Sequence, residues 1–200
     1  MTRTFKEALK NRRSCYNITG TSPITDEQIK EILSFALLHV PSAFNSQSTR
    51  LVLLLGAQHK KLWEIALKTL KGITPPAAFS KTEQKINGCF ACGYGTILFF
   101  EDTAAVKALQ DKFPLYKDNF PVWSEHTNAM HQLSVWTMLE DEGLGATLQH
   151  YNPLIDEEVK KTWNIDAAWK LRAQMPFGVK TADPDPKDFG PLEPRLKIFK

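Results

Sequence analysis

The sequence has little of what marks a secreted, membrane-spanning or nucleic-acid-binding chain. It contains three cysteines in 200 residues, an odd number and too few for a disulfide scaffold. No apolar run approaches the roughly 18 residues of a membrane-spanning helix, and the N-terminus lacks the apolar stretch of a secretory signal. The net charge of +3 is small and dispersed, which does not indicate nucleic acid binding. We therefore expect a cytoplasmic protein that binds neither membrane nor nucleic acid.

Two motifs of redox proteins are missing or incomplete. No G-x-G-x-x-G follows a predicted strand, so a Rossmann dinucleotide site is not indicated. Cys89 and Cys92 form one C-x-x-C pair, which can be a dithiol redox centre or half of a zinc site. There is no second such pair, and this one does not precede a helix in a βαβ context. We interpret both cysteines as small core residues, expect no metal, and keep a dithiol redox protein as an alternative.

Helical and strand patterns alternate along the whole chain, with no repeat and no dividing linker. Thr25 and Gln28 have the form of a capping box, which predicts a helix that ends before Pro41. Further helices are predicted over residues 4–11, 104–112, 123–142 and 156–163. Strands are predicted from apolar runs at residues 51–55, 93–100, 146–150 and 169–177. The pattern indicates one α+β domain.

The longest predicted helix and the C-terminal tail differ from the rest. Few polar residues separate the apolar ones in residues 123–142, so we expect this helix to be buried. A subunit interface is one location that would bury it. Residues 181–200 carry four prolines and few core residues. This tail is too stiff to be a domain, and residues 196–199 could add a strand to a sheet edge.

Three short polar segments are the candidates for binding. Arg12, Arg13 and Ser14 suit a phosphate, because each guanidinium can bond two oxygens at once. Residues 42–47 are rich in amides, which offer donors and acceptors to a ring with a mixed polar edge. Residues 143–153 lead from the long helix into a strand and could lay backbone N–H groups against a planar ring. Alone, the first two segments are better explained as a solvated basic turn and a turn containing asparagine, and a histidine such as His150 is more often an ordinary loop or core residue than a ligand.

Taken in this order and at these separations, the three segments resemble the cofactor contacts of the FMN-dependent nitroreductases. Residues 95–102, 112–125 and 148–153 are also similar to the subgroup named for the fatty-acid repression mutant proteins. The resemblance runs nearly end to end. It implies a nitroreductase-like α+β fold with a central, mainly antiparallel sheet flanked by helices. It also implies a homodimer, in which residues 1–200 form one domain and residues 181–200 are an exchanged extension that packs on the partner subunit.

The resemblance also implies which residues contact FMN. Arg12, Arg13 and Ser14 would hold the ribityl phosphate, with Arg195 and Lys197 near it. The isoalloxazine ring would be contacted by Ser42, Asn45 and Gln47 of the partner subunit, and by Gln149, His150 and Tyr151 at the end of a strand. Aromatic residues are the candidates for the substrate pocket: Phe79, Tyr116, Phe120 and Trp123.

One position departs from the family pattern. Many nitroreductases have a lysine two residues beyond the serine of the first segment, where this chain has Tyr16. A cation or N–H dipole near N1 stabilises the negative charge of reduced flavin. Lys85 and Arg50 are both candidates for that cation, and the sequence does not choose between them.

The activity implied by the resemblance is an FMN-dependent oxidoreductase, with the chemistry carried by the flavin and no catalytic side chain. Two electrons would pass from NADH or NADPH, through flavin N5, to a nitroaromatic or a quinone. Because both substrates would use one face of the ring, ping-pong kinetics are expected. The alternative from another class is a non-enzymatic flavin-binding regulatory protein linked to lipid or stress responses, since fold and cofactor do not determine function.

Overall fold

The structure, a computed structural model, describes residues 4–200. Residues 1–3, which the expected domain includes, lie outside the described residues. The sheet has five strands: Ile18–Thr19 (β1), Thr49–Leu55 (β2), Gly95–Asp102 (β3), Leu144–Ala146 (β4) and Trp169–Lys180 (β5). Their order is β1-β5-β3-β2, β4 also pairs with β5, and each of these pairings is antiparallel. The expected mainly antiparallel sheet is therefore confirmed.

Helices cover both faces of this sheet. They are Phe5–Asn11 (α1), Asp26–His39 (α2), Gly56–Ile73 (α3), Pro76–Ile86 (α4), Thr103–Lys112 (α5), Asn119–Asp141 (α6) and Asp156–Trp163 (α7). One half of the core lies between the sheet and helices α2 and α6, and the other half lies between the sheet and helices α3, α4 and α7. The expected α+β arrangement with flanking helices is confirmed. No helix in the described part of the chain is long and apolar enough to cross a bilayer.

Strand β3 shows why the sheet is buried on both faces. Ile97 and Phe99 point into the first half of the core, and Leu98 and Phe100 point into the second half. Successive side chains of a strand point to opposite faces, so a continuous apolar run supplies both layers at once. The prediction of a doubly buried strand over residues 93–100 is confirmed, although the strand begins and ends two residues later.

The predicted strand over residues 146–150 is wrong for most of its length. β4 ends at Ala146, and only an isolated bridge between Gln149 and Gln174 continues the contact with β5. Thr147 donates its N–H to the carbonyl of Pro176 at 3.2 Å. Proline has no N–H with which to return this hydrogen bond, so the ladder is interrupted at Pro176 and resumes only at the Gln149–Gln174 bridge.

Other differences lie where the sequence signal is weak. Helix α4 was not predicted, because it begins with Pro76 and has only Ile86 fully buried. Strand β1 has two residues, too few for a periodic pattern. Residues 196–199 form no strand within the chain, and Leu196, Ile198 and Phe199 are exposed. The capping box of Thr25 and Gln28 is present as predicted.

Candidate functional site

The first and third polar segments lie side by side. Ser14 forms a parallel bridge with Ala146, and the N–H of Cys15 donates to the carbonyl of Ala146 at 3.0 Å. Gly145 allows this close approach, since a Cβ there would lie 2.9 Å from Cys15 Cβ and 2.5 Å from Lys180 Cγ. The fold therefore joins the basic turn after α1 to the segment that follows α6.

Arg12 has an unused donor in this corner. Its guanidinium carbon lies 4.5 Å from the centre of the Trp136 ring on α6. Its Nε is buried and has no hydrogen-bond partner among the described residues. A buried N–H without an acceptor is unfavourable, and a bound anion would satisfy it. The residues present therefore fit a phosphate group.

The other predicted phosphate contacts are placed differently. Arg13 Nη2 donates to the carbonyl of Asp185 in the tail at 2.6 Å. Arg195 donates to the carbonyls of Gly190 and Pro191, at 2.7 Å and 3.0 Å. Both hydrogen bonds of Arg195 lie within the tail, and the expected contact of Arg195 and Lys197 with the phosphate stays a prediction.

In the third segment, two of the expected backbone donors are already used. The N–H of Gln149 donates to the backbone carbonyl of Gln174 at 2.7 Å. The N–H of Tyr151 donates to the side-chain oxygen of Gln174, also at 2.7 Å. The backbone N–H of the exposed His150 makes no hydrogen bond within the described residues. Thr147 Oγ1 is buried and has no partner there either. Of these two groups, only the N–H of His150 belongs to an exposed residue and is open to a ligand.

The second segment, residues 42–47, has a strained backbone. Phe44, Asn45 and Gln47 have φ angles of 55°, 51° and 46°, in the left-handed region that favours glycine. Such conformations cost about 1 kcal/mol or more each and are concentrated at functional sites. Inside the segment, the N–H of Gln47 donates to Ser42 Oγ at 3.0 Å.

The two candidate cations have different surroundings. Arg50 donates to the carbonyl of Gln47 at 2.6 Å and forms an ion pair with Asp102 at 2.8 Å. Lys85 Nζ lies 5.8 Å from the centre of the Tyr16 ring. The guanidinium of Arg50 is thus bonded to the second segment and to Asp102. The ammonium of Lys85 lies beside Tyr16, which stands where many nitroreductases have a lysine.

Three of the four expected pocket residues form a cluster, and Phe44, which the sequence analysis missed, lies at its centre. The ring of Phe44 stacks on Trp123 with centroids 5.9 Å apart, and it lies 5.6 Å from Tyr116 and 5.2 Å from Phe120. An open cavity of about 390 Å³ adjoins the cluster. Its lining residues are Ala43, Phe44, Trp123, His126, Thr127 and Met130. Phe79 lies apart from this cluster on α4, near Lys71.

The C-x-x-C pair lies on a π-helical turn over Asn87–Ala91 and its cap. The Cys92 thiol donates to the carbonyl of Gly88 at 3.1 Å, and both cysteines are half-buried. Burial raises the pKa of the Cys92 thiol, with a smaller contribution from Cys89. Because the thiolate is the nucleophile, a raised pKa lowers reactivity at neutral pH.

Two buried histidines should make the fold sensitive to acid. Burial lowers the pKa of both His59 and His131, which are 1% and 3% exposed. Below about pH 6.5 the unfolded chain takes up protons that the folded chain does not, so stability falls as pH decreases. We expect urea denaturation to give a smaller free energy of unfolding at about pH 5.5 than at about pH 7.5. His131→Gln should make the difference smaller, and equal stability of the wild type at both pH values would contradict the expectation.

Comparisons with known proteins agree with this architecture. The model of the Nitroreductase family matches residues 9–179. Nitroreductase FRM2 of Saccharomyces cerevisiae is 34% identical over 187 residues, which cover 92% of this chain and 92% of the yeast protein. Nitroreductase CinD from Lactococcus lactis, solved in complex with chloramphenicol, is 44% identical with a TM-score of 0.88, over 98% of this chain and 100% of that chain.

Two further structures extend the comparison. CinD has also been solved in complex with 4-nitrophenol, at 45% identity, a TM-score of 0.88 and the same coverage of 98% and 100%. A nitroreductase with bound FMN from Desulfitobacterium hafniense shares the fold, at 14% identity and a TM-score of 0.73 over 100% of both chains. The family match spans most of the chain, and the yeast and bacterial relatives match nearly all of it. This chain belongs to the nitroreductase family.

Proposed function

We propose that this protein is an FMN-dependent oxidoreductase that uses NADH or NADPH to reduce nitroaromatics or quinones. A bound FMN would supply two-electron redox chemistry at N5, between the nicotinamide and the acceptor. The observation that carries the proposal is the buried Nε of Arg12, which has no acceptor among the described residues and belongs to a residue two positions before the Ser14–Ala146 bridge. A phosphate is the ligand that this corner suits best.

The chain's own groups would divide the work of binding the cofactor. Arg12, Arg13 and Ser14 would bind the phosphate, and the free N–H of the exposed His150 would be available to the ring system. The strained segment 42–47 would present its amides to the ring bound by the partner subunit. No side chain has to act as a strong acid, because solvent can supply the protons that follow the electrons.

The aromatic cluster suits a flat acceptor. Phe44 and Trp123 offer ring faces beside an open cavity, and stacking on such faces favours aromatic ligands. The CinD structures with chloramphenicol and with 4-nitrophenol show that a relative at 44–45% identity binds nitroaromatic compounds. We therefore assign the acceptor to this end of α6.

A homodimer with an exchanged tail fits the exposed apolar surfaces. An apolar groove is formed by helices α1, α2 and α6 and includes Phe5, Phe35 and Leu133. Phe5 and Phe35 are 72% and 56% exposed, and Phe199 at the end of the tail is 90% exposed. Large apolar side chains left in water are typical of an interface. Sedimentation of the purified protein at twice the chain mass is the expected result.

The function is tested by one preparation of the purified protein. It should be yellow, show the flavin absorbance spectrum, and oxidise NADH or NADPH in the presence of a nitroaromatic. Initial rates at varied nucleotide and acceptor should give parallel lines in double-reciprocal plots, as a ping-pong mechanism requires. A colourless protein that takes up no FMN would defeat the proposal. Bound flavin that neither nucleotide reduces would instead favour the regulatory alternative.

A further inference from the structure

A buried carboxylate, that of Glu101, is hydrogen-bonded to the residue that follows the strained segment 42–47. Glu101, near the end of β3, is 2% exposed. It accepts hydrogen bonds from Ser48 Oγ at 2.6 Å, Thr49 Oγ1 at 2.6 Å and Asn128 Nδ2 at 2.9 Å. No lysine or arginine among the described residues forms an ion pair with it. A buried carboxylate is tolerated only when hydrogen bonds replace its water, so these donors are needed to keep Glu101 in place.

The three donors belong to different parts of the fold. Ser48 follows the strained segment, Thr49 is the first residue of β2, and Asn128 lies in the middle of α6. Asn128 also donates to the carbonyl of Phe100 at 3.1 Å and accepts from Gln132 at 2.7 Å. Through Glu101 the end of segment 42–47 is therefore tied to the sheet and to the helix that carries the aromatic cluster.

Three hydrogen bonds lie within the segment, from the N–H groups of Asn45, Ser46 and Gln47 to Ser42 or Ala43, and its backbone conformation is what calls for a further anchor. Its backbone bends through three left-handed residues that are not glycine. Each of these residues prefers another conformation when unrestrained, so the segment would relax if its end were released. On the surface, Arg50 donates to the carbonyl of Gln47. In the interior, Glu101 accepts a hydrogen bond from the neighbouring Ser48.

We infer that Glu101 is a positioning residue for the flavin site, which orders segment 42–47 through Ser48 without itself touching the cofactor. This inference rests on the proposed function, since the segment is expected to face the isoalloxazine ring. The two hydroxyl donors provide a matched test. Ser48→Ala and Thr49→Val each remove one 2.6 Å hydrogen bond to the same carboxylate. The backbone of both residues is also held to β3, Ser48 through the N–H of Asp102 at 2.9 Å and Thr49 through the β2–β3 ladder, but only Ser48 adjoins the segment.

The expected result is unequal effects from the matched pair. Ser48→Ala should raise the FMN dissociation constant about tenfold, as expected when one hydrogen bond to a charged group is lost. Thr49→Val should change it less than about twofold at a similar melting temperature, because the strand stays in register. Glu101→Gln can keep all three hydrogen bonds, since the Ser48 hydroxyl can accept from the amide, and should stay within about threefold of wild type.

Amide hydrogen exchange on the flavin-free protein separates this inference from the proposed function. Residues 42–47 should exchange about tenfold faster in Ser48→Ala than in wild type, with the rest of the chain unchanged, because local opening replaces an ordered segment. Equal effects of Ser48→Ala and Thr49→Val, or unchanged exchange in the segment, would overturn the inference. A wild-type protein that takes up no FMN would defeat the proposed function, and the exchange rates alone would then decide whether Glu101 orders the segment.

Discussion

Arg12→Met is expected to weaken FMN binding by about 100-fold, because charge-assisted hydrogen bonds to a phosphate contribute about 2–3 kcal/mol. Methionine keeps an unbranched, polarizable side chain against the Trp136 ring, so the packing that now holds the guanidinium is largely retained. The substitution also removes a buried N–H that lacks an acceptor within residues 4–200. The flavin-free variant should therefore unfold within about 1 kcal/mol of the wild type.

Quenching of flavin fluorescence during titration of the flavin-free protein measures this change. Riboflavin is the matched ligand, because it has the same ring and ribityl chain but no phosphate, and its affinity should be unaffected. Lys10→Met is the matched protein control, since it removes one exposed positive charge from the same helix. Equal losses for FMN and riboflavin would show that Arg12 does not act on the phosphate.

Gly178→Ala is expected to destabilise the fold by about 3 kcal/mol or more. A Cβ at this position would lie 2.0 Å from the carbonyl oxygen of Thr19 and 3.2 Å from the backbone N of Tyr94. Both neighbours are backbone atoms, which cannot rotate away as a side chain would. Strand β1 would have to move away from β5 to make room. Only three residues separate β1 from the basic turn at Arg12–Ser14, so the turn would move with it. FMN affinity should therefore fall together with stability.

Thermal unfolding of the flavin-free protein checks this expectation, with a decrease in melting temperature of about 10 °C for a chain of this size. Gly72→Ala is the control, because a Cβ there meets no atom within 4 Å and its φ is not left-handed. Gly72 lies near the end of helix α3. Alanine in a helix is favoured over glycine by about 0.5–1 kcal/mol, so this variant should be slightly more stable. A Gly178→Ala protein as stable as the wild type would show that β1 can move at little cost.

Local signals in the sequence predicted the elements that are specified locally. The capping box at Thr25 and the apolar run in β3 each depend on neighbours within a few residues. The burial of β3 on both faces is also a local signal, because successive side chains point to opposite faces and each apolar residue indicates burial on its own face. The mainly antiparallel sheet came only from the family resemblance, because pairing partners such as β3 and β5 lie about seventy residues apart in the sequence.

The features that the sequence did not predict depend on distant residues. Pro176 on the opposite strand interrupts the pairing beyond β4, and residues 146–150 carry no signal of that partner. Glu101 reads as an ordinary residue at the end of a strand, and its role is visible only when Asn128 and Ser48 converge on it. Phe44 is the one aromatic residue in segment 42–47, and its polar neighbours carry the sequence signal there. Its place among the rings of α6 follows from a left-handed backbone that sequence patterns do not encode.

The hydrogen bond from Arg13 to the carbonyl of Asp185 connects the two ends of the chain. Equilibria that compete for one group are thermodynamically reciprocal. An anion that draws Arg13 away from Asp185 must loosen the tail, and a tail captured by another surface must alter the affinity for that anion by the same factor. Release of the tail and binding of the cofactor would then be coupled, so that each one favours the other.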